Sequence, residues 1–252
     1  MGTRAQNSAL GSPNAEGSAR SAAVFVATLF DFNGVLVDDE AVHLAAFRYV
    51  LEPLGVSIAE TDYWERYIGF DDVGAFRAML ADAGKPASDA EVRELVERKR
   101  PSYMQRARQG LRAFPSASEV VRDSARRGPV GIVSGALRDE VELGLDLLGV
   151  RDQVRFVVSA EDTTRCKPDP EGYLTALGHL GRPDPGRVLV IEDSIAGVVA
   201  AKAAGLVCLA VAHSHPADLL RNAGADSVLE TIAAIDATIV EALGHRSHAR
   251  PT

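Results

Sequence analysis

Five polar side chains stand at or just after segments that the sequence predicts to be buried strands. They are Asp31, Ser134, Lys167, Glu192 and Asp193. Because the carboxyl ends of parallel strands share one edge of a sheet, side chains far apart in sequence can meet there in one pocket. A set of carboxylates with a hydroxyl and an ammonium group is suited to the transfer of a phosphoryl group.

Each residue type has its own task in this chemistry. The Asp31 carboxylate can attack phosphorus and form an aspartyl-phosphate, which divides hydrolysis into two easier steps. Lys167 offers a compact positive charge that would hold the phosphate beside this nucleophile. The Ser134 hydroxyl and nearby backbone N–H groups, such as that of Gly135, could donate hydrogen bonds to the phosphate oxygens. These residues predict a phosphate pocket.

The acids also predict a magnesium site, because a carboxylate nucleophile and a phosphate repel each other without a cation between them. Mg²⁺ prefers oxygen ligands and usually keeps several waters. The carboxylates of Asp31, Asp193 and Glu192 could supply oxygens, together with the backbone carbonyl of Asn33. Each residue alone could equally cap a helix or occupy a turn. Their order and placement together favour a catalytic site.

Short apolar segments alternate with helical patterns over most of the chain. Such alternation indicates crossover units and an α/β fold with a parallel sheet. The predicted strands are 24–32, 130–134, 155–159, 188–192 and 207–212, with a short sixth at 228–229. The predicted helices between them are 117–127, 137–148, 170–180, 195–204 and 216–223.

Residues 40–111 interrupt this rhythm, because their pattern is helical throughout. Helices are predicted at 40–51, 60–67, 72–83 and 88–109. We interpret this segment as a helical cap domain inserted into a core made of residues 23–39 and 112–244. A domain inserted beside a strand-end carboxylate is well placed to act as a lid. Residues 1–22 and 245–252, which include His245 and His248, are predicted to be disordered tails.

Composition narrows the function classes. The chain has 252 residues, of which 46% are hydrophobic and 25% charged, and its net charge is −8. This charge argues against general nucleic-acid binding, which needs a basic surface. No apolar run is long enough for a membrane helix, and no signal peptide is visible. Cys166 and Cys208 have neither metal-site nor disulfide-framework spacing, so a reducing cytoplasmic location is expected.

With these motifs the chain resembles the haloacid dehalogenase-like (HAD) hydrolase superfamily. The matching segments are Asp31-Phe32-Asn33-Gly34-Val35-Leu36-Val37-Asp38, then Ser134, then Lys167-Pro168-Asp169-Pro170, then Glu192-Asp193-Ser194. They cover the four family motifs in order, over roughly residues 23–243. The resemblance is closest to the branch of β-phosphoglucomutase-like and phosphoglycolate phosphatase-like enzymes.

The resemblance implies a Rossmann-like core with a helical cap, dependence on Mg²⁺ and an aspartyl-phosphate intermediate. By motif, Asp31 would be the nucleophile, Ser134 and Lys167 would bind the phosphate, and Glu192 and Asp193 would hold the metal. The expected partner is a small phosphorylated metabolite such as a sugar phosphate. The expected state is a cytoplasmic monomer or weak dimer.

Two further parts of the inserted segment match family positions that lie near the substrate. His43 corresponds to a position near the acid/base group, although it could equally be a helix residue that faces the core or the cap. Gly69, Phe70, Asp71 and Asp72 correspond to the cap loop that faces the substrate.

Asn33 departs from the family pattern, because the phosphatases and mutases carry aspartate there as general acid and base. An amide cannot exchange a proton in this way, and losing such a group typically costs about 10²–10⁴ in rate. Three interpretations stay open: slow turnover or turnover limited to good leaving groups, proton transfer by another group such as His43 or water, and a pseudoenzyme that only binds phosphorylated ligands. An engineered Asp-to-Asn exchange would give the same sequence.

The cap loop departs from the mutase pattern, in which a basic residue after the glycine holds a second phosphate. Here Asp71 and Asp72 would repel that phosphate, although Arg66 or Arg77 could contribute a cation. The leading hypothesis is therefore a Mg²⁺-dependent phosphatase weakened by Asn33, with a sugar phosphomutase as the alternative.

The aromatic residues near this loop could stack on a substrate ring or pack between cap and core; they are Tyr63, Trp64, Tyr67 and Phe70.

Overall fold

A six-stranded parallel sheet forms the centre of the protein. In a computed structural model that describes residues 25–68 and 70–248, the strands are β1 (Ala27–Phe30), β2 (Val37–Asp38), β3 (Arg112–Ala113), β4 (Val130–Val133), β5 (Val154–Val158), β6 (Val188–Glu192), β7 (Val207–Val211) and β8 (Ser227–Leu229). The sheet has the order β5-β4-β1-β6-β7-β8, and all its pairs are parallel. The predicted α/β fold with a parallel sheet is confirmed.

The helices pack on the sheet and above its carboxyl edge. They are α1 (Glu40–Leu51), α2 (Glu60–Asp62), α3 (Asp72–Asp82), α4 (Asp89–Gly110), α5 (Ala117–Arg127), α6 (Arg138–Leu147), α7 (Glu171–His179), α8 (Ile195–Ala203), α9 (Ala217–Asn222) and α10 (Ala237–His248). None of these described helices combines the length and apolarity that crossing a membrane requires.

Strand β1 holds the central position because both of its faces are apolar and buried. Leu29 packs in the hydrophobic cluster on one face of the sheet, and Phe30 packs in the cluster on the other face. Phe30 lies level with Ile132 of β4 and Ile191 of β6. The next residue, Asp31, therefore emerges at the carboxyl edge between two neighbouring strands, where α/β sheets place their ligands.

The helices between β2 and β3 enclose a hydrophobic cluster of their own, which includes Phe47, Phe76 and Met79. The antiparallel pair of β2 and β3 closes the base of this segment. The sequence did not predict this pair, because two residues per strand leave no periodic signal. The predicted helix 60–67 is also corrected, since it consists of α2 followed by a π-helical turn at Tyr63–Tyr67.

The carboxyl end of the chain also differs from expectation. Helix α10 was not predicted, and it continues to His248, past the start of the predicted tail at 245. Its first two turns are anchored by Val240 and Leu243, which are buried against the sheet. A helix that is nucleated in this way adds further turns at little cost. The predicted tail 1–22 and the residues from 249 onward lie outside the described residues.

A substitution at Gly131 in β4 would test how tightly the sheet is packed. A Cβ atom there would lie 2.5 Å from the Phe156 ring and 3.0 Å from Leu29. We expect Gly131→Ala to lower the free energy of unfolding by ~1–3 kcal/mol through overpacking, which thermal melting would detect. Gly178→Ala is the matched control, since no atom of the described residues lies within 4 Å of the position that its Cβ would take. An unchanged melting temperature for Gly131→Ala would contradict this packing.

Candidate active site

A pocket lies at the carboxyl edge of the sheet, between the strand ends and the inserted helices. Its lining contains nearly all the site residues expected from sequence: Asp31, Asn33, His43, Phe70, Ser134, Gly135, Lys167 and Asp193. Glu192 lies behind this lining and is fully buried. Gly69 falls outside the described residues. The structure thus brings together side chains from the ends of three neighbouring strands, β4, β1 and β6.

Lys167 lies between two carboxylates on the floor of the pocket. Its Nζ is 2.9 Å from Asp31 Oδ1 and 2.6 Å from Glu192 Oε1. Burial alone would lower the pKa of this lysine, but the charges of Asp31 and Glu192 outweigh it and raise the pKa. Lys167 is therefore a permanent cation beside the Asp31 carboxylate.

Glu192 is oriented by donors on both of its oxygens. Oε1 accepts from Lys167 and from the Tyr173 hydroxyl, and Oε2 accepts from the backbone N–H groups of Asp193 and Ser194 and from the Ser194 hydroxyl. Burial would raise its pKa, but Lys167 and these hydrogen bonds hold it below the ordinary value. The carboxylate fits against α8 because a Cβ on Gly197 would lie 1.7 Å from Oε1.

Asp193 faces the loop that follows β1. The Ser214 hydroxyl donates to its Oδ2, and Gly34 approaches the same oxygen so closely that a Cβ would lie 2.0 Å away. Gly34 has φ of +72°, a backbone conformation that glycine adopts without strain. Glycine is thus required at position 34 for two reasons, its φ and the nearness of Asp193.

Three carboxylates crowd this floor against one ammonium group. Oxygens of Asp31, Glu192 and Asp193 lie within 4.8 Å of one another. Burial, opposed by Lys167, raises the pKa of Asp31 to about 7, and burial together with Glu192 and Asp31 raises that of Asp193. Buried, crowded oxygen donors of this kind fit Mg²⁺. Because the Glu192 oxygens already accept several hydrogen bonds, Asp31 and Asp193 are the carboxylates best placed to bind an ion directly.

Asn33 is held as a hydrogen-bond donor to a buried carboxylate. Its Nδ2 is 2.7 Å from Asp39 Oδ2, which also accepts from the Tyr103 hydroxyl at 2.6 Å. Burial would raise the pKa of Asp39, but His43 and the hydrogen bonds from Tyr103 and Asn33 lower it below the usual range. Asp39 is therefore an anion that only accepts, which fixes the amide nitrogen of Asn33 toward it and leaves Oδ1 to accept from Ser134 at 3.2 Å.

His43 is occupied at both ring nitrogens. Nε2 lies 3.1 Å from Asp39 Oδ2, and Nδ1 lies 2.7 Å from the Nζ of Lys99. Lys99 is fully buried and also donates to Asp72 at 2.5 Å. This geometry makes Nδ1 an acceptor and Nε2–H a donor. His43 therefore connects Asp39 directly, and Asp72 through Lys99, and presents no free ring nitrogen to the pocket.

The loop that precedes α3 carries acids and an aromatic ring to the pocket. Phe70 is 54% exposed although it lines the pocket. Asp71 caps α3 by accepting from the Gly74 N–H, and its other oxygen accepts from the Cys166 thiol. Asp71 thus connects the inserted helices to the loop that carries Lys167.

The expectation that Arg66 or Arg77 could supply a cation to the pocket is not met. Arg66 pairs with Asp82 and Arg77 pairs with Asp89, at the surface of the inserted helices. Of the nearby aromatic residues, Tyr63 and Tyr67 are buried pocket residues, whereas Trp64 is 42% exposed and is not part of the lining.

A sequence profile of the family described as "Haloacid dehalogenase-like hydrolase" matches residues 28–211. This range includes Asp31, Ser134, Lys167, Glu192 and Asp193. The chain belongs to the haloacid dehalogenase-like hydrolase family.

Individual relatives within this group differ in activity. The chain is 40% identical over 97 residues to validoxylamine A 7'-phosphate phosphatase of Streptomyces hygroscopicus subsp. limoneus, a match that covers 38% of this chain and only 45% of that relative. It is 28% identical over 216 residues to hexitol phosphatase B of Escherichia coli strain K12, covering 82% and 95% of the two chains. A β-phosphoglucomutase structure from Clostridium difficile aligns with a TM-score of 0.79 at 21% identity, over 90% and 100% of the chains, and shows the shared fold.

Several residues of this HAD site were not found from sequence. Ser214 follows β7, and the same strand-end rule that located Asp31 could have found it. Asp39 lies between the unpredicted strand β2 and α1, and Lys99 and Tyr103 lie within α4, so the strand-end rule does not find them. Their contacts with Asn33, with His43 and with one another form only in the folded structure.

Crowding on the pocket floor predicts a link between metal and stability. Raised pKa values mean that folding favours the protonated forms of Asp31 and Asp193. The stability that protonated Asp31 contributes in metal-free protein therefore falls as pH rises from the ordinary carboxyl pKa of 3.8 toward about 7, and Asp193 acts in the same direction. We expect Mg²⁺ to raise the melting temperature at pH 8. Asp193→Asn should stabilise metal-free protein there by ~1 kcal/mol, or ~2–4 °C, and remove the Mg²⁺ response.

The control for this experiment is Asp146→Asn, which removes one charge from an exposed site on α6. It should leave the Mg²⁺ response intact. A full Mg²⁺ response in Asp193→Asn would contradict the assignment of Asp193 to the metal.

Proposed function

We propose that this HAD hydrolase is a Mg²⁺-dependent phosphatase that removes the phosphate from a small phosphorylated metabolite. The observation that carries the proposal is the contact of Lys167 with both Asp31 and Glu192 on the floor of the pocket. A carboxylate beside a buried permanent cation is prepared to receive an anionic group. The phosphatases among the relatives support the same reaction class.

In the proposed reaction, Asp31 Oδ2 attacks phosphorus, since Oδ1 already contacts Lys167 and accepts from the Phe32 N–H at 2.8 Å. The P–O bond to the leaving group breaks, and the phosphoryl group passes to Asp31. Water then attacks the aspartyl-phosphate and releases phosphate. Mg²⁺ held by Asp31, Asp193 and the Asn33 carbonyl would neutralise charge on the transferred group. Ser134 and Lys167 would bind the phosphate oxygens throughout.

The side chain of Asn33 determines which substrates such an enzyme can process. Its Nδ2 donates to Asp39 and its Oδ1 accepts from Ser134, so the side chain orients neighbours but cannot deliver a proton. His43 has no free ring nitrogen to replace it. The leaving group must then take its proton from water, which favours substrates whose leaving oxygen is weakly basic and makes both steps slow.

A phosphatase fits the pocket better than a mutase does. A mutase must hold a second phosphate as well, and the part of the lining that the inserted helices contribute carries Asp71 and Asp72. Arg66 and Arg77 are paired with other acids away from the pocket. A second phosphate would therefore meet repulsion that Lys99, already bound to Asp72 and His43, does not offset.

Substituting the proposed nucleophile distinguishes an active phosphatase from a pseudoenzyme that only binds its ligand. We expect phosphate release from p-nitrophenyl phosphate to require Mg²⁺, to stop with EDTA and to fall by at least 10³-fold in Asp31→Asn, because no covalent intermediate can form. Thermal melting checks that the variant is folded. Release that is unchanged in Asp31→Asn would exclude this mechanism, and ligand-induced stabilisation without release would identify a binding protein.

Position 33 must be tested together with position 39. Asn33→Asp alone would place two carboxylates 2.7 Å apart in a buried site, so one would retain a proton. The double variant Asn33→Asp/Asp39→Asn restores one acid and one amide in exchanged places. We expect it to release phosphate from sugar phosphates about 10²–10⁴-fold faster than the natural chain, and to exceed the single variant. Equal rates in all three proteins would mean that another group moves the proton.

A further inference from the structure

One wall of the pocket, to which the inserted helices and α6 contribute, is unusually acidic. Four carboxylate side chains line it, contributed by α1, the loop that precedes α3, α3 and α6: Glu40, Asp71, Asp72 and Glu140. Two of them are already engaged, since Tyr63 donates to Glu40 at 2.5 Å and Asp71 accepts from Gly74 and Cys166. Asp72 and Glu140 remain as the acids with unused acceptors.

Glu140 is the residue that points to a ligand. Its side chain lines the pocket, it is only 2% exposed, and its Oε1 has no hydrogen-bond partner among the described residues. Burial raises its pKa to about 7, although Lys99 and His43 oppose the shift. A buried carboxylate oxygen without a donor is costly, so the Glu140 carboxylate would be stabilised by a hydrogen-bond donor that a ligand brings to this wall.

The cations near this wall do not balance its charge. Lys99 is committed to Asp72 and to His43, and His43 is in turn committed to Asp39. Asp72 Oδ2 and Asp39 Oδ1 also lack hydrogen-bond partners among the described residues. The pocket therefore combines a cationic floor at Lys167, suited to phosphate, with an anionic wall at Glu140 and Asp72.

We propose that the leaving group of the natural substrate carries a protonated amine that binds Glu140, so that the substrate is an amino-sugar or aminocyclitol phosphate rather than a neutral polyol phosphate. This inference rests on the proposed phosphatase function. An ammonium group supplies three donors and one positive charge, which matches unpaired acceptors on a wall with excess negative charge. A hydroxyl supplies one donor and no charge, and a second phosphate would be repelled.

Glu140 would then determine specificity without taking part in bond breaking. The phosphate end binds at Lys167 and Ser134 for any phosphomonoester, and the amine adds an interaction only when the leaving group carries it. Because charge-assisted hydrogen bonds are roughly twice as strong as neutral ones, we expect the amine to be selected in kcat/KM.

Matched substrates test the inference directly. The pairs are glucosamine 6-phosphate with glucose 6-phosphate, and glucosamine 1-phosphate with glucose 1-phosphate, each differing only by an amine in place of one hydroxyl. We expect kcat/KM to favour the amine by about tenfold or more in at least one pair. Glu140→Gln should reduce that preference about tenfold or abolish it. Glu142→Gln, two residues along α6 and paired at the surface with Arg151, should retain it.

The outcomes separate this inference from the proposed function. Hydrolysis of p-nitrophenyl phosphate that depends on Asp31, together with equal kcat/KM within both pairs, would overturn the amine and leave the phosphatase standing. An amine preference that survives in folded Glu140→Gln would overturn the assignment to Glu140. Absence of phosphate release from every compound, p-nitrophenyl phosphate included, would overturn both.

Discussion

The mutual repulsion of Asp31, Glu192 and Asp193 is the interaction around which the rest of the site is organised. Three carboxylates share a buried floor with a single ammonium group, Lys167. The surrounding residues lower the electrostatic free-energy cost of this crowding in two ways. Glu192 receives hydrogen bonds on both oxygens, and glycines at 34 and 197 leave room for the crowded side chains. The remaining excess charge suits the floor to a divalent cation and, through it, to an anionic phosphate.

A second buried charge network lies above this floor and explains why the amide at position 33 is compatible with the fold. Its negative charge resides on Asp39, which is fully buried and accepts from Asn33, Tyr103 and His43. An aspartate at position 33 would face that anion directly. Asn33 and Asp39 thus form a hydrogen-bonded pair of one amide and one carboxylate. Position 33 on its own would suggest only that a catalytic acid is missing. The same network continues through Lys99 to Asp72, so the orientation of Asn33 depends on the inserted helices.

The sequence predicts the strand-end residues well, because two strong signals coincide there. Apolar runs locate the strands, and parallel topology brings their carboxyl ends to one edge, which is why Asp31, Ser134 and Asp193 meet as expected. The partners of Asn33 and His43 could not be predicted. Lys99 and Tyr103 belong to α4 and reach them because α4 packs against α1, whereas Asp39 stands just before α1. Helical periodicity does not reveal which buried polar groups face each other. The surface pairing of Arg66 and Arg77 escaped prediction for the same reason.

The central claim, that Asp31 accepts the phosphoryl group and that Asn33 leaves the intermediate without a strong base, is tested most directly by rapid-quench kinetics. With p-nitrophenyl phosphate and Mg²⁺, the leaving group needs little acid assistance, whereas hydrolysis of the aspartyl-phosphate still requires an activated water. We expect a burst of about one p-nitrophenolate per active site, followed by slow steady release, and no burst in Asp31→Asn. Linear release without a burst, at a rate that Asp31→Asn does not change, would contradict the central claim.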